Sequence, residues 1–86
     1  MPKTIDYVIA CKIGRLLFGC GVAPVKTRYN FVIITGSFRL QIVRECTVTG
    51  QVYCRLELFS GIVGQELGYF YYDVENETIS SLRKED

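Results

Sequence analysis

The sequence contains no histidine, only two prolines and no Cys-x-x-Cys pair. Histidine is the commonest general base and the usual partner of a catalytic serine or cysteine, so its absence argues against the common nucleophilic mechanisms. Carboxylates are a poor replacement, because seven of the nine lie within residues 56–86, where we expect solvated surface charge near turns and the chain end. We therefore predict a protein that is not an enzyme, with no catalytic residue and no cofactor.

The cysteine spacing and the lack of long apolar runs bear on metals and on location. Cys11, Cys20, Cys46 and Cys54 are separated by eight, twenty-five and seven residues, whereas zinc sites prefer closely paired cysteines or added histidines. We therefore expect no metal site. Asp6 lies where a secretory signal needs an apolar stretch, and the longest uncharged runs have ten residues, about half of a membrane-spanning helix. We expect a cytoplasmic protein with reduced thiols and no membrane contact.

Charge is segregated along the chain, although the formal total is only +1. Residues 1–55 carry eight cations and two anions, a balance of +6, whereas residues 56–86 carry two cations and seven anions, a balance of −5. Such segregation predicts partners of opposite charge for the two parts, or mutual neutralisation within the fold or between copies. The apolar fraction of 49% is high for 86 residues, so we expect one domain, residues 1–86, that leaves apolar surface for a partner or a second copy.

Dense β-branched and aromatic residues, with glycines at short intervals, predict a mainly β fold. We predict strands at residues 4–13, 16–22, 28–35, 37–47, 51–59, 67–74 and 78–82. The architecture that follows is a small antiparallel sheet or a partly closed barrel of about six strands. For the C-terminus we favour a turn over residues 75–78 that pairs Val74 with Ile79. A short C-terminal helix capped by Asn76 is the α+β alternative.

The best-determined element is a hairpin over residues 38–60, with a three-residue loop at 48–50 in which Gly50 takes a left-handed backbone. Its predicted opposed pairs are Leu40 with Leu58, Ile42 with Leu56, Arg44 with Cys54, and Cys46 with Val52. One face of the hairpin is then nearly all apolar. The opposite face carries Arg39, Gln41, Val43, Glu45, Tyr53, Arg55, Glu57 and Phe59.

The segment 68–73 is aromatic on both sides of its strand, with Tyr69 and Tyr71 on one side and Phe70 and Tyr72 on the other. A strand with one face exposed to solvent does not require aromatic residues on that face. We therefore expect the segment either inside a closed sheet or covered by a partner on its outer side.

These features favour a small, non-enzymatic binding module that acts by occupying another protein, as an inhibitor or adaptor of the kind that a virus or mobile element encodes. We also expect a homo-oligomer. The candidate partner-binding residues are Arg39, Arg55, Tyr53, Phe59, Tyr69, Tyr71, Glu75 and Glu77.

Two alternatives remain open. The first is a nucleic-acid-binding small barrel, in which arginines contact phosphates and an aromatic side chain stacks on bases. Its candidate residues are Arg28, Tyr29, Arg39, Arg44 and Arg55. The near-neutral pI of about 7.6 argues against it, because dedicated nucleic-acid binders are usually more basic. The second alternative is an obligate subunit of a larger assembly.

Overall fold

A computed structural model describes residues 7–19, 22–28, 30–46, 50–60 and 62–84, with the backbone alone for 44–46 and 60. Its elements are α1 (Tyr7–Phe18), β1 (Val25–Lys26), β2 (Phe31–Thr35), β3 (Phe38–Cys46), β4 (Gln51–Ser60), β5 (Val63–Asp73) and β6 (Thr78–Ile79). The strands form one antiparallel sheet in the order β1-β2-β3-β4-β5-β6. The prediction of a mainly β, six-stranded antiparallel sheet is confirmed. Among the described strands, β1 and β6 form the two edges of an open sheet that does not close into a barrel.

The strands predicted over residues 4–13 and 16–22 are wrong for the described part of the chain, where residues 7–13 and 16–18 belong to α1 and Gly19 and Val22 belong to no helix or strand. The reason is a helical spacing that the β-branched residues conceal: Ala10, Ile13, Gly14 and Leu17 recur at i, i+3, i+4 and i+7 and lie on one side of the helix. Burial of this side outweighs the weak local preference for strand. Within the described residues, no helix combines the length and the apolar character that crossing a membrane requires.

The core lies between α1 and one face of the sheet, which we call the covered face. Its buried residues are Phe31, Ile33, Leu40, Ile42, Val52, Cys54, Leu56, Phe70 and Tyr72, and α1 adds Ala10 and Ile13. The helix approaches most closely at Gly14, where an added Cβ would lie 2.8 Å from Cδ1 of Ile33. Burial raises the pKa of the Cys54 thiol from 9.0 to about 12, so this thiol behaves as an apolar side chain.

The predicted register of the β3–β4 hairpin is wrong by two residues at its base. The observed pairs are Leu40 with Leu56, Ile42 with Cys54, Arg44 with Tyr53, and Cys46 with Gln51. Near the turn the error is one residue, since Cys46 pairs with Gln51 rather than Val52, and Glu45, predicted on the opposite face, pairs with the core residue Val52. A β-bulge at Val43 supplies the second residue of the shift toward the base. Gly50 has the predicted left-handed backbone, with φ of 69°, whereas residues 48 and 49 of the predicted loop lie outside the described residues.

The C-terminal hairpin is confirmed, and the helical alternative is wrong. Its predicted Val74–Ile79 pair is not formed; Ile79 pairs with Tyr72, and Thr78 with Asp73. The Asp73 carboxylate explains this difference, because its Oδ1 accepts hydrogen bonds from the backbone N–H groups of Glu75 and Asn76, at 3.0 and 3.2 Å, and so starts the turn one residue earlier.

Two strand starts differ from the prediction. Strand β2 begins at Phe31 rather than at residue 28, because Asn30 and Thr27 close a turn between β1 and β2 through two hydrogen bonds. Strand β5 begins at Val63 rather than at residue 67, with a second bulge at Leu67. The chain after β6 continues along β5 to a bridge between Arg83 and Tyr69.

Candidate protein-binding surface

The second face of the sheet lies opposite α1, and we call it the outer face. Side chains alternate along each strand and directly paired residues point to the same side, so the register assigns its members. They are Arg39 and Gln41 of β3, Tyr53, Arg55, Glu57 and Phe59 of β4, and Gly64, Glu66, Tyr69 and Tyr71 of β5. Six predicted partner-binding residues are therefore brought together on one surface: Arg39, Tyr53, Arg55, Phe59, Tyr69 and Tyr71.

Three tyrosines form a cluster on the outer face. Tyr53 and Tyr71 are directly paired across β4 and β5, and Tyr69 lies next to both. The ring centroids are 5.6 Å apart for Tyr53 and Tyr71, 5.5 Å for Tyr53 and Tyr69, and 6.0 Å for Tyr69 and Tyr71. All three are half-buried. Contacts at these distances fix the rings against one another, which leaves a preformed aromatic surface.

Farther along the same face, Arg39 stacks on the ring of Phe59, and this ring lies over Gly64. The guanidinium of Arg39 lies 4.5 Å from the centroid of the Phe59 ring, which in turn covers Gly64, where an added Cβ would be 2.9 Å from ring atom Cε1. Nη2 of Arg39 also donates to both carboxylate oxygens of Glu57, at 3.1 Å each. The positive charge of Arg39 is therefore held between an aromatic ring and a carboxylate.

Arg55 forms a second ion pair on this face, with Glu66 of the next strand. Nη2 of Arg55 lies 3.0 Å from Oε2 of Glu66, and its Nε donates to Oε1 at 3.1 Å. The side chains of both pairs are partly shielded from solvent. With Arg39 and Glu57, this part of the outer face thus carries two Arg–Glu ion pairs, in which the charges neutralise one another locally.

The residues predicted for nucleic-acid binding are not joined into one basic patch among the described side chains. Arg39 and Arg55 lie on the outer face, but each contacts a glutamate. Arg28 lies in the exposed connection between β1 and β2. Tyr29 and the side chain of Arg44 lie outside the described part.

Glu75 and Glu77 belong to the turn between β5 and β6 rather than to the outer face. Glu77 has φ of 55° and forms an ion pair with Lys12 of α1, with Nζ and Oε1 2.5 Å apart. This contact ties the turn to the helix, whereas Glu75 is exposed. Their predicted role in binding a partner stays a prediction.

Sequence reasoning missed Gly64 and Glu66 as members of the surface, because it started β5 at residue 67. No local signal indicates Glu66, because the bulge at Leu67 reverses the alternation: counting back from Tyr69 in steps of two gives Leu67 and Gln65 instead. Gly64 was not predicted either, since a glycine within a strand pattern ordinarily indicates a break in the strand.

Two cavities in the described part of the chain are small. One of 240 Å³ is lined by Tyr7, Cys11, Arg15, Val22 and Ala23. Another of 110 Å³ is lined by Glu66, Leu67, Gly68 and Lys84, so it borders the outer face at Glu66. Pockets for small organic ligands usually measure about 300 to 1,000 Å³, so these cavities do not suggest a small-molecule site.

No protein-family model, no curated protein and no solved structure matches this chain. The function therefore has to be argued from the chemistry of the outer face.

Proposed function

We propose that this protein is a non-enzymatic module that acts by protein–protein interaction through the outer face of its sheet. It would serve as an inhibitor or adaptor in the cytoplasm, where cysteines stay reduced. The observation that carries the proposal is the tyrosine cluster of Tyr53, Tyr69 and Tyr71 beside two locally neutralised Arg–Glu pairs.

The composition of the outer face supports a protein partner. Tyrosine and arginine are enriched at the energetic centres of protein interfaces, whereas unpaired charges are depleted there. The arginines Arg39 and Arg55 of the face each form an ion pair with a glutamate, although Nε of Arg39 is buried without a hydrogen-bond partner. A partner that covers them removes paired charges from water, which is much less unfavourable than covering lone ones.

The rigidity of the face also favours binding. Its side chains lie on strands β3, β4 and β5 beside their cross-strand neighbours. Binding a partner therefore costs little further side-chain entropy. Tyrosine adds large contact area with few rotatable bonds. The outer face therefore has the properties of a preorganised contact surface.

The nucleic-acid alternative has weaker support. Single-stranded nucleic acid binding combines stacking aromatic residues with cations that are available to phosphates. Arg39 and Arg55 instead donate to Glu57 and Glu66, so phosphate contact would have to break these pairs.

The test is recovery of the partner from the native source by the tagged chain and by two variants. Tyr71→Arg adds a charge within the tyrosine cluster, and Leu16→Arg adds the same side chain to the exposed part of α1 as a matched control. We expect wild type and Leu16→Arg to retain the same protein in equal amount, and Tyr71→Arg to bind it at least about thirtyfold more weakly, as for a hot-spot residue.

Folding of both variants is checked by circular dichroism and thermal unfolding. A folded Tyr71→Arg that retains the partner at wild-type affinity would refute the proposal. Loss of all bound material after nuclease treatment and a high-salt wash would favour the nucleic-acid alternative instead.

A further inference from the structure

We infer that the partner of the outer face is a second copy of this chain, packed sheet against sheet about a two-fold axis. The inference rests on the proposed function, because it names the occupant of the same surface. Three observations carry it: the charge on the face, its size, and the aromatic residues on both sides of β5.

The charge balance of the outer face suits contact with itself. Arg39 and Arg55 come from the basic part of the chain, whereas Glu57 and Glu66 come from the acidic part, and the sheet assembles them into a neutral set. In a two-fold contact, each surface meets an identical one. A face that carries both arginines and glutamates can bring arginines near glutamates of the other copy, whereas a face of one sign would repel itself.

The size of the outer face matches a stable interface. Strands β3, β4 and β5 have 9, 10 and 11 residues, which corresponds to about 30 Å at about 3.3 Å per residue. Four strand spacings of about 4.8 Å, from β2 to β6, add a width of about 19 Å. The flat area is about 600 Å² per copy before side-chain relief is counted, close to the roughly 800 Å² per partner of standard interfaces.

The aromatic residues of β5 are the third observation. Phe70 and Tyr72 are buried on the covered face, while Tyr69 and Tyr71 form the same kind of aromatic surface on the outer face without α1 above them. Sheets pack on one another about 10 Å apart with interleaved side chains. A second copy would therefore cover the tyrosine cluster and produce four layers, helix, sheet, sheet and helix.

Aliphatic side chains extend this surface toward β1. Val32 and Ile34 of β2 pair with Gln41 and Arg39, so they lie on the outer face, and Ile34 is 64% exposed. The apolar and aromatic residues thus flank the Arg–Glu pairs on both sides, which gives the two copies contact area beyond the tyrosines.

The first experiment measures mass by sedimentation equilibrium over a range of protein concentrations. We expect wild type to reach twice the chain mass of 9.8 kDa, Leu16→Arg to do the same, and Tyr71→Arg to remain at 9.8 kDa while folded. A folded wild type that stays monomeric at about 100 μM would overturn the inference. The proposed function would survive that result if recovery of another protein still depended on Tyr71, so the two failures are distinguishable.

The second experiment identifies the surface that the dimer uses. Tyrosines are modified with N-acetylimidazole at low and high protein concentration, and the sites are located by mass spectrometry. We expect Tyr69 and Tyr71 to be protected at least fivefold only at high concentration. Tyr7, which is 52% exposed on α1, is the internal control and should react equally in both. A dimer in which Tyr69 and Tyr71 stay reactive would also overturn the inference.

A charge exchange completes the test. Arg55→Glu leaves an excess of carboxylates on the outer face and should weaken the dimer at least tenfold. Adding Glu66→Arg restores the pair within each copy and the neutral balance, so the double variant should dimerise within about threefold of wild type. If the single variant dimerises as well as wild type, charge complementarity does not govern the contact and the inference fails.

Discussion

Tyr71 and Tyr72 are neighbours in one strand, yet the two faces of the sheet give them different surroundings. Tyr72 is 1% exposed on the covered face, opposite Val52, within the core that α1 closes. Tyr71 is half-buried on the outer face, opposite Tyr53. One face is almost purely apolar, whereas the other mixes tyrosine with paired charges. The comparison teaches that the side of the strand on which a tyrosine lies decides whether it is buried in the core or remains partly exposed on the other face.

The largest expected difference between the faces is in chemical reactivity. Burial raises the pKa of Cys54 from 9.0 to about 12, which lowers its thiolate fraction at pH 8 roughly a thousandfold. In the variant Tyr53→Cys, the new thiol lies one residue away on the outer face and should be alkylated at an ordinary rate. Iodoacetamide labelling with peptide mapping measures both rates in one sample. Equal rates in the folded protein would contradict the assignment of Cys54 to the covered face.

Truncation of the two neighbouring tyrosines gives the next largest effect. Tyr72→Ala opens a cavity beneath α1 and should lower the free energy of unfolding by about 3 to 5 kcal/mol. Tyr71→Ala loses only part of the tyrosine cluster and should lower it by about 1 kcal/mol. Urea unfolding followed by circular dichroism measures both. Similar losses at the two positions would mean that the outer face is as important for folding as the covered face.

A larger side chain at Gly14 tests whether close contact with α1 is what covers one face of the sheet. Gly14→Leu forces a side chain into Ile33 and should destabilise the fold by about 1 to 3 kcal/mol, although leucine favours helix more than glycine does. Arg15→Leu adds the same side chain at an exposed position of α1 and should change stability by less than about 0.5 kcal/mol. Thermal unfolding of both variants is the measurement. A stabilising Gly14→Leu would refute the close helix–sheet contact.

The smallest effect concerns Asp73, at the end of the outer face. Hydrogen bonds from the backbone and side chain of Asn76, and from the backbone of Glu75, lower its pKa below 3.8. Because the folded pKa is depressed, the stabilisation is present above the unfolded pKa and is lost as pH falls through the folded pKa. Asp73→Asn should slightly lower stability near neutral pH and reduce its dependence on pH below about pH 4. Urea midpoints measured from about pH 6 to about pH 2 provide the test, and an unchanged pH dependence would count against it.

The sequence predicted the sheet and most of the outer face because both depend on alternation. Arg39, Tyr53, Arg55, Phe59, Tyr69 and Tyr71 were assigned to binding from their positions in predicted strands, and the observed register brings them to one face. At the base of the β3–β4 hairpin the error is two residues, and a shift by an even number leaves each side chain on its predicted side. Near the turn the error is one residue, so the predicted side is wrong for Glu45, which pairs with the core residue Val52.

The features that the sequence did not predict depend on contacts between distant segments. In α1, Val8, Ile9 and Ile13 favour strand locally, and the helix exists because its small side at Gly14 fits against Ile33. The bulge at Val43 has no local signal either. It is visible only in the pairing of the two strands, where Ile42 lies opposite Cys54 and Arg44 lies opposite Tyr53.

The order of the strands in the sheet equals their order in the chain. Each strand therefore pairs with the strand made just before it, which keeps the sequence separation of most contacts small for a β-rich protein. Folding rates rise as this separation falls, so this sheet is expected to form faster than one in which distant segments must meet first. During synthesis, the strand with which each new strand pairs has already been made. The bridge of Arg83 to Tyr69 forms only after all six strands have been made.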